Sequence, residues 1–378
     1  MPDWLTNRLT NTLADRQKQG LFRTLTTQPP PVDFTSNDYL SLARSGTLAA
    51  QLAEAAGNHT GHGAAGSRLL AGNTAQAEAL ETYLAGFYHA ETALLFNGGY
   101  MANVGLLACL PQPGDVLLTD ELIHASLIDG ARLSKATRLR FAHNSLADLA
   151  AKLSQTSPAH RVFVVVESLY SMDGDQAPLA EIAALCATHH AALIVDEAHA
   201  SGVYGPGGAG LTVGGGLTGL VFARIHTFGK ALGVHGAAVV GPAPLRTYLI
   251  NHARSFIYAT ALPPHDLTAI WLAHEQLLAE PHRAERLHDL VAYFTQKSRL
   301  VAPGATWLPS TSPIQGVVVP GNAAVRRVAL AAQQAGYDVR PIVSPTVAAG
   351  QERIRICLHA HNTEADIDGL LGTLATVM

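Results

Sequence analysis

Lys230 lies on a loop of small and apolar residues, His226-Thr227-Phe228-Gly229-Lys230-Ala231-Leu232-Gly233. Such neighbours strip water from an ammonium group, which lowers a lysine pKa and eases imine formation. A little over thirty residues upstream, the apolar run Ala192-Leu193-Ile194-Val195 ends in Asp196-Glu197-Ala198-His199. A strand that delivers an aspartate, followed by a lysine on a loop, suits pyridoxal phosphate (PLP). The lysine holds that cofactor as a Schiff base, and the aspartate pairs with the pyridinium nitrogen that makes the ring an electron sink. Neither residue alone points there; the pair does.

Other runs could complete such a site. Asn97-Gly98-Gly99-Tyr100-Met101-Ala102-Asn103 follows an apolar strand and opens a helix. Backbone N–H groups of Gly99 and Tyr100 can seat a phosphate there, although by itself the run equally describes an ordinary turn. Gly66-Ser67-Arg68-Leu69 is likewise, alone, only a glycine-rich turn. Asp120-Glu121-Leu122-Ile123-His124-Ala125-Ser126 puts His124 just past a strand end, where an imidazole can lie on a ring and exchange protons. The chain has 18 histidines, so most of them are simply polar loop residues. Glu167-Ser168-Leu169-Tyr170-Ser171-Met172-Asp173-Gly174-Asp175 follows Val162–Val166; Ser171 could bond a cofactor, or the run could be a plain turn. Thr227, three residues before Lys230, could reach a phosphate.

Two other chemistries fall short. Asp196-Glu197-Ala198-His199 mimics the acidic box of a nucleic-acid-dependent ATPase, but that activity needs a G-x-x-x-x-G-K-[ST] loop. Gly229-Lys230 is followed by alanine and lacks the upstream glycine. No histidine pair sits with a carboxylate at zinc-ligand spacing on a convincing helix, so no metal site is expected.

The elements that must position these residues read as alternating strands and helices. Leu94-Leu95-Phe96, Val116-Leu117-Leu118, Val162–Val166, Leu193-Ile194-Val195 and Ala237-Ala238-Val239-Val240 are continuous apolar runs, as a mostly parallel sheet covered on both faces requires. Leu5, Leu9 and Leu13 mark an amphipathic opening helix, and Gln28-Pro29-Pro30-Pro31 an extended connector. From about Leu267 the pattern changes to one long helix over 269–300, then strand, helix and strand, with strands at Gly316–Val319 and Arg353–Cys357. At 378 residues, 48% hydrophobic and 14% charged, with 34 glycines, the chain is globular and turn-rich. A formal charge of −4 without a basic run argues against nucleic-acid binding. Cys109, Cys186 and Cys357 read as reduced core thiols of a cytoplasmic protein. The first residues have no signal-peptide pattern and no stretch is long enough to span a membrane.

Taken together, these runs resemble the α-oxoamine synthases, PLP enzymes of the aspartate-aminotransferase-like fold (fold type I of the PLP-dependent transferases). The resemblance extends from Ser36-Asn37-Asp38-Tyr39-Leu40 to Arg353-Ile354-Arg355. Thr-Phe-Gly-Lys-Ala-Leu-Gly around Lys230, Phe256–Pro264 and Ser312-Pro313-Ile314-Gln315 are similar to the branch serving biotin biosynthesis. It implies an N-terminal helix and connector over 1–36, a large PLP-binding α/β domain over 37–275 and a small C-terminal α+β domain over 276–378. It also implies a cytoplasmic homodimer that condenses L-alanine with a pimeloyl thioester, releasing CO₂ and the thiol, either coenzyme A or a carrier protein. Lys230 would bind PLP and remove the substrate α-proton, Asp196 would hold the pyridinium nitrogen and His199 the ring oxygen. His124 would stack on the ring and help protonate intermediates. Gly99, Tyr100 and Thr227 would bind the phosphate, with Thr260 entering from the other subunit, and Glu167 and Ser171 would complete the pocket. Arg355 would clamp the amino-acid carboxylate with help from Asn37, while Arg23 and Thr346 would lie near the acyl substrate. The sequence departs from the family pattern at Asn97-Gly98, at Ala200 after His199 and at His235, and none of these removes a catalytic group. Alternatives are a relative that condenses glycine with acetyl-CoA or succinyl-CoA and, outside enzymes, a PLP-binding regulatory or scaffold protein.

Overall fold

The computed structural model describes residues 2–25, 27–57 and 61–378. The chain divides into two compact units, Ser36–Asp289 with His359–His361, and Met1–Thr35 with Leu290–Leu358 and Asn362–Met378.

The first unit is built on a sheet whose strands are Thr92–Phe96 (β1), Val116–Asp120 (β2), Thr137–Phe141 (β3), Val162–Glu167 (β4), Ala192–Asp196 (β5), Ala223–Thr227 (β6) and Ala237–Gly241 (β7). Their order is β1-β7-β6-β5-β4-β2-β3. β6, β5, β4, β2 and β3 run parallel, and β7 runs antiparallel to both β6 and β1. The apolar centres of β4 and β5, Val164–Val166 and Leu193–Val195, are wholly buried, because crossover helices cover both faces. In such sheets the carboxyl ends of the strands carry the binding site. Those ends here are Phe96, Asp120, Glu167, Asp196 and Thr227; Asp120, Glu167 and Asp196 open candidate runs, Phe96 directly precedes one, and Thr227 lies in the run that carries Lys230.

β6 and β3 escape the sequence patterns. β6 reads Ala-Arg-Ile-His-Thr, yet Arg224 and His226 are buried. Arg224 donates to the His89 carbonyl, and His226 meets Ser201 Oγ at 2.8 Å and stacks on Tyr88 at 3.7 Å. β3 is an edge strand with Arg138 and Arg140 exposed, a charged edge that discourages pairing with another chain. The expected long helix is two, Pro264–Ala279 and His282–Val301, because Pro281 has no N–H to carry the ladder on.

The second unit contains an antiparallel sheet of Thr306–Trp307 (β8), Ile314–Val318 (β9), Arg340–Ile342 (β10) and Arg353–Cys357 (β11), in the order β10-β11-β9-β8. Helices Asn322–Gln334 and Glu364–Val377 belong to it, the latter opened by a capping box between Thr363 and Asp366. Val32–Asp33 pairs in parallel with Tyr337–Asp338. The opening helix Asp3–Lys18 forms as expected and buries none of its residues. Among the described residues, no helix is long and apolar enough to cross a membrane.

Two buried histidines, His226 on β6 and His274 on the helix Pro264–Ala279, set a pH dependence of stability. His274 Nδ1 donates to the Ile270 carbonyl at 2.7 Å, and Nε2 meets Tyr88 Oη at 2.9 Å. Burial pushes its pKa down to about 4, and His226 is also depressed, by burial and then by the Arg224 charge. The unfolded chain therefore binds protons below about pH 6.5 that the folded chain refuses, and stability falls as pH drops from about 6.5 to 4. Glu167, whose pKa is raised, acts in the opposite direction over part of that window, so the His274 contribution is read by difference. Urea unfolding of His274→Gln should show an acid-side slope shallower than wild type by about 1.4 kcal/mol per pH unit. Parallel slopes would remove His274 from this account.

Candidate active site

Asp196 closes β5 and is 4% exposed. Its Oδ1 accepts the Ala198 N–H at 2.9 Å and its Oδ2 accepts Asn103 Nδ2 at 2.7 Å, so the carboxylate plane is fixed from two sides. Asn103 sits one turn into the helix Gly99–Cys109, is 2% exposed, and also donates to Ser126 Oγ at 2.9 Å. Ser126 Oγ lies 2.7 Å from His124 Nδ1, and Ser126 N–H donates to the same nitrogen at 3.2 Å. An imidazole whose Nδ1 accepts carries its proton on Nε2 when neutral. One polar chain thus joins Asp196 to His124 through Asn103 and Ser126.

His124 caps the helix Ala125–Leu133 and opens to solvent on one side. Burial on its other side, and then the Lys230 charge, hold its pKa below the ordinary histidine value against the opposing pull of Asp196. It is therefore largely neutral at pH 7 and able to take a proton. Its backbone N–H donates to Glu167 Oε1 at 2.5 Å. Glu167 and Asp196 end adjacent parallel strands in register, and Glu167 is 2% exposed. Burial, and then the charge of Asp196, raise the Glu167 pKa well above the carboxylate range, so Glu167 is held as the neutral acid. Glu167→Gln keeps a neutral acceptor for His124 N–H and should retain activity within about three-fold, whereas Glu167→Ala should lose about ten-fold, the cost of leaving that donor without its partner. Steady-state rates of the two variants check this; equal losses would mean that Glu167 carries a charge the site needs.

Lys230 follows β6 on the loop Phe228–Gly236. The loop is closed on itself by Phe228 N–H to Gly236 O, Val234 N–H to Phe228 O and Gly233 N–H to Lys230 O. Gly233 holds a left-handed φ of +68°, and a Cβ there would run into the backbone of Ala43, so only glycine fits. Lys230 is half-buried, and its Nζ lies 2.7 Å from His199 Nε2. His199 Nδ1 lies 2.7 Å from Tyr39 Oη, which donates to Asn37 Oδ1 at 3.1 Å. The consistent proton assignment has His199 donating from Nδ1 to Tyr39 and accepting from the Lys230 ammonium at Nε2. A neutral acceptor against an ammonium gives Lys230 a place to pass a proton.

The helix Gly99–Cys109 starts at the carboxyl end of β1, and the N–H groups of its first turn have no intrahelical partner. Gly99 faces Thr227: a Cβ on Gly99 would stand 3.3 Å from Thr227 Cβ and 3.4 Å from its Oγ1. That cradle, which a side chain would fill, fits a phosphate. Tyr100 is exposed and its hydroxyl donates to Asp129, so its contribution to the cradle is its backbone N–H. Thr260 is exposed, and its carbonyl accepts Asn97 Nδ2 at 2.8 Å. Ser171 lies on the loop after β4 and is half-buried. Lys230, His199, Asn37 and Tyr39 form one constellation, and Asp196, Asn103, Ser126, His124 and Glu167 another, both at the carboxyl edge of one sheet. The donor set fits PLP: a buried carboxylate for a ring nitrogen, an imidazole for a ring oxygen, an amine for the aldehyde carbon and a glycine helix start for the phosphate.

Arg355, Thr346 and Arg23 belong to the other compact unit. Arg355 is half-buried on β11, opposite Gly316 of β9 and Arg340 of β10. Thr346 is exposed, its N–H bonded to the Val343 carbonyl, and Arg23 is exposed on the connector.

Sequence reasoning missed Asn103, Ser126, Tyr39 and Glu197. Asn103 was open to discovery as the polar residue in an otherwise apolar helix. Glu197 is wholly buried and accepts Ser168 Oγ and the N–H groups of Leu211 and Thr212, fixing the turn that carries His199.

Comparisons with known proteins converge. Residues 29–374 match the model of the family "Aminotransferase class I and II". The 8-amino-7-oxononanoate synthase of Emericella nidulans is 43% identical over 99% of this chain and 96% of its own length. That of Marinobacter nauticus is 38% identical over 96% of this chain and 94% of its own. Among solved structures, serine palmitoyltransferase of S. paucimobilis, with bound PLP–myriocin, superposes with a TM-score of 0.89 at 27% identity, covering 98% of this chain and 96% of that one. The 8-amino-7-oxononanoate synthase of Francisella tularensis superposes at 0.79 with 28% identity, covering 91% and 97%.

Proposed function

The chain belongs to the class I and II aminotransferase family, and on that premise we propose that it condenses L-alanine with a pimeloyl thioester to give 8-amino-7-oxononanoate in biotin biosynthesis. It is a PLP-dependent acyltransferase. The single observation that carries the choice of substrates is the 43% identity, sustained over 99% of the chain, to a relative named for that product. The serine palmitoyltransferases share the fold at 27–29% identity.

When bound, PLP supplies the electron sink that makes an amino-acid α-carbon acidic. Asp196 would hold its ring nitrogen, His199 its ring oxygen, and Gly99, Tyr100 and Thr227 its phosphate, with Ser171 and Glu167 completing the pocket. Lys230 Nζ takes the α-proton of alanine and can share it with His199 Nε2, 2.7 Å away. His124 would lie against the ring and would return a proton after decarboxylation. The new C–C bond joins the alanine α-carbon to the thioester carbonyl, the C–S bond breaks to free the thiol, and the carboxylate leaves as CO₂. Arg355 clamps that carboxylate through two parallel bonds until it departs, assisted by Asn37, while Arg23 and Thr346 serve the acyl chain. The enzyme works as a cytoplasmic homodimer, with the exposed Thr260 of each subunit serving the phosphate site of the other.

Thiol release from pimeloyl-CoA with L-alanine, run beside glycine plus acetyl-CoA, tests the assignment. Alanine- and pimeloyl-dependent release with an amino-ketone product is expected. Activity with glycine and the short thioester alone would move the reaction to another member of the family.

A further inference from the structure

His143 follows the edge strand β3 and is not needed by the chemistry above. Its Nδ1 lies 3.0 Å from Asp120 Oδ1, and its Nε2 lies 2.8 Å from Asp175 Oδ2. A ring nitrogen bonds a carboxylate oxygen only by donating, so two such bonds require both nitrogens to carry protons. The carboxylates come from different loops. Asp120 is the wholly buried end of β2, four residues before His124, and also accepts the N–H groups of Leu122 and Asn144. Asp175 lies on the loop that begins after Glu167 and carries Ser171; its carbonyl accepts Tyr170 N–H. The neighbouring Asn144, at a left-handed φ of 52°, donates to Asp175 Oδ2 at 2.7 Å. The carboxylates facing the imidazole are Asp120 from the end of β2, and Asp173 and Asp175 from the second loop, while Glu121 accepts the His143 backbone N–H; the Tyr170 ring stands edge-on at 4.5 Å.

We propose that His143, held as an imidazolium between Asp120 and Asp175, is a positioning residue that locks together the loops presenting His124 and Ser171 to the cofactor. This rests on the site described above only for what the two loops present; the clamp itself is independent of it. Burial disfavours the imidazolium, but the hydrogen bonds to Asp120 and Asp175 outweigh it and raise the pKa to about 10. The positive charge thus persists at neutral pH.

Hydrogen exchange of the full-length protein, with and without PLP, measures the clamp directly. In His143→Gln, amides of 121–124 and 170–175 should exchange faster together, on the order of ten-fold, with the rest of the sheet unchanged. His143→Arg, which keeps charge and paired donors, should regain most of the protection. In wild type, nitrogen NMR of the labelled imidazole should show both ring nitrogens protonated from pH 6 to about 9. Unchanged exchange in either loop, no recovery in the arginine variant, or titration near the ordinary histidine value would each overturn the proposal. The NMR measurement decides even if the glutamine variant does not fold. Failure of wild type to hold PLP on Lys230 would defeat the site assignment and leave these exchange results standing.

Discussion

Lys230→Ala is expected to abolish turnover, by roughly 10⁴-fold or more, while the protein folds normally. Two functions vanish with one side chain: the amine that holds the cofactor and the base that removes the α-proton, and proton transfer alone is worth about 10²–10⁴-fold. Folding is spared because Lys230 is only half-buried and the loop is closed by backbone bonds among Phe228, Lys230, Gly233, Val234 and Gly236. His199 loses the partner on Nε2 but keeps Tyr39 on Nδ1. Added methylamine should restore part of the rate if the missing group is only a base. Turnover of the alanine variant at wild-type rate would end the assignment of Lys230.

Asp196→Asn should lower turnover by roughly 10²- to 10³-fold with PLP still bound, the usual size of removing one preorganised electrostatic partner. An amide cannot supply the negative charge that keeps a pyridine nitrogen protonated. The substitution is gentle on the fold for a visible reason. Asp196 Oδ2 takes its bond from Asn103 Nδ2, and Asn103 Oδ1 is buried without a protein partner. A flip of the Asn103 amide would present that oxygen to the amide introduced at position 196, so the polar chain to Ser126 can re-form. Thermal stability near wild type with collapsed turnover is the expected pattern. Near-normal turnover would mean that Asp196 does not hold the ring.

Residues that end an apolar strand were legible in the sequence. Asp196, Glu167 and the run leading to His124 each follow a continuous hydrophobic stretch, and Lys230 stands out among small neighbours. β6 was hidden because Arg224 and His226 look like surface residues, although both are buried, one donating to the His89 carbonyl and the other stacking on Tyr88. The Tyr39–His199 and Asn103–Asp196 bonds join positions far apart in the chain, and no local periodicity announces them. His143 was equally invisible as one histidine among 18 until Asp120 and Asp175 were seen on either side of its ring.

The central claim is that Lys230, alone among the lysines, carries the cofactor. Reduction of the PLP-loaded protein with borohydride, followed by digestion and mass spectrometry, tests it directly. The chain has five lysines, at 18, 135, 152, 230 and 297. A phosphopyridoxyl mass on the peptide containing Lys230, and on no other, is the predicted result; label on a different lysine, or on none, would contradict it.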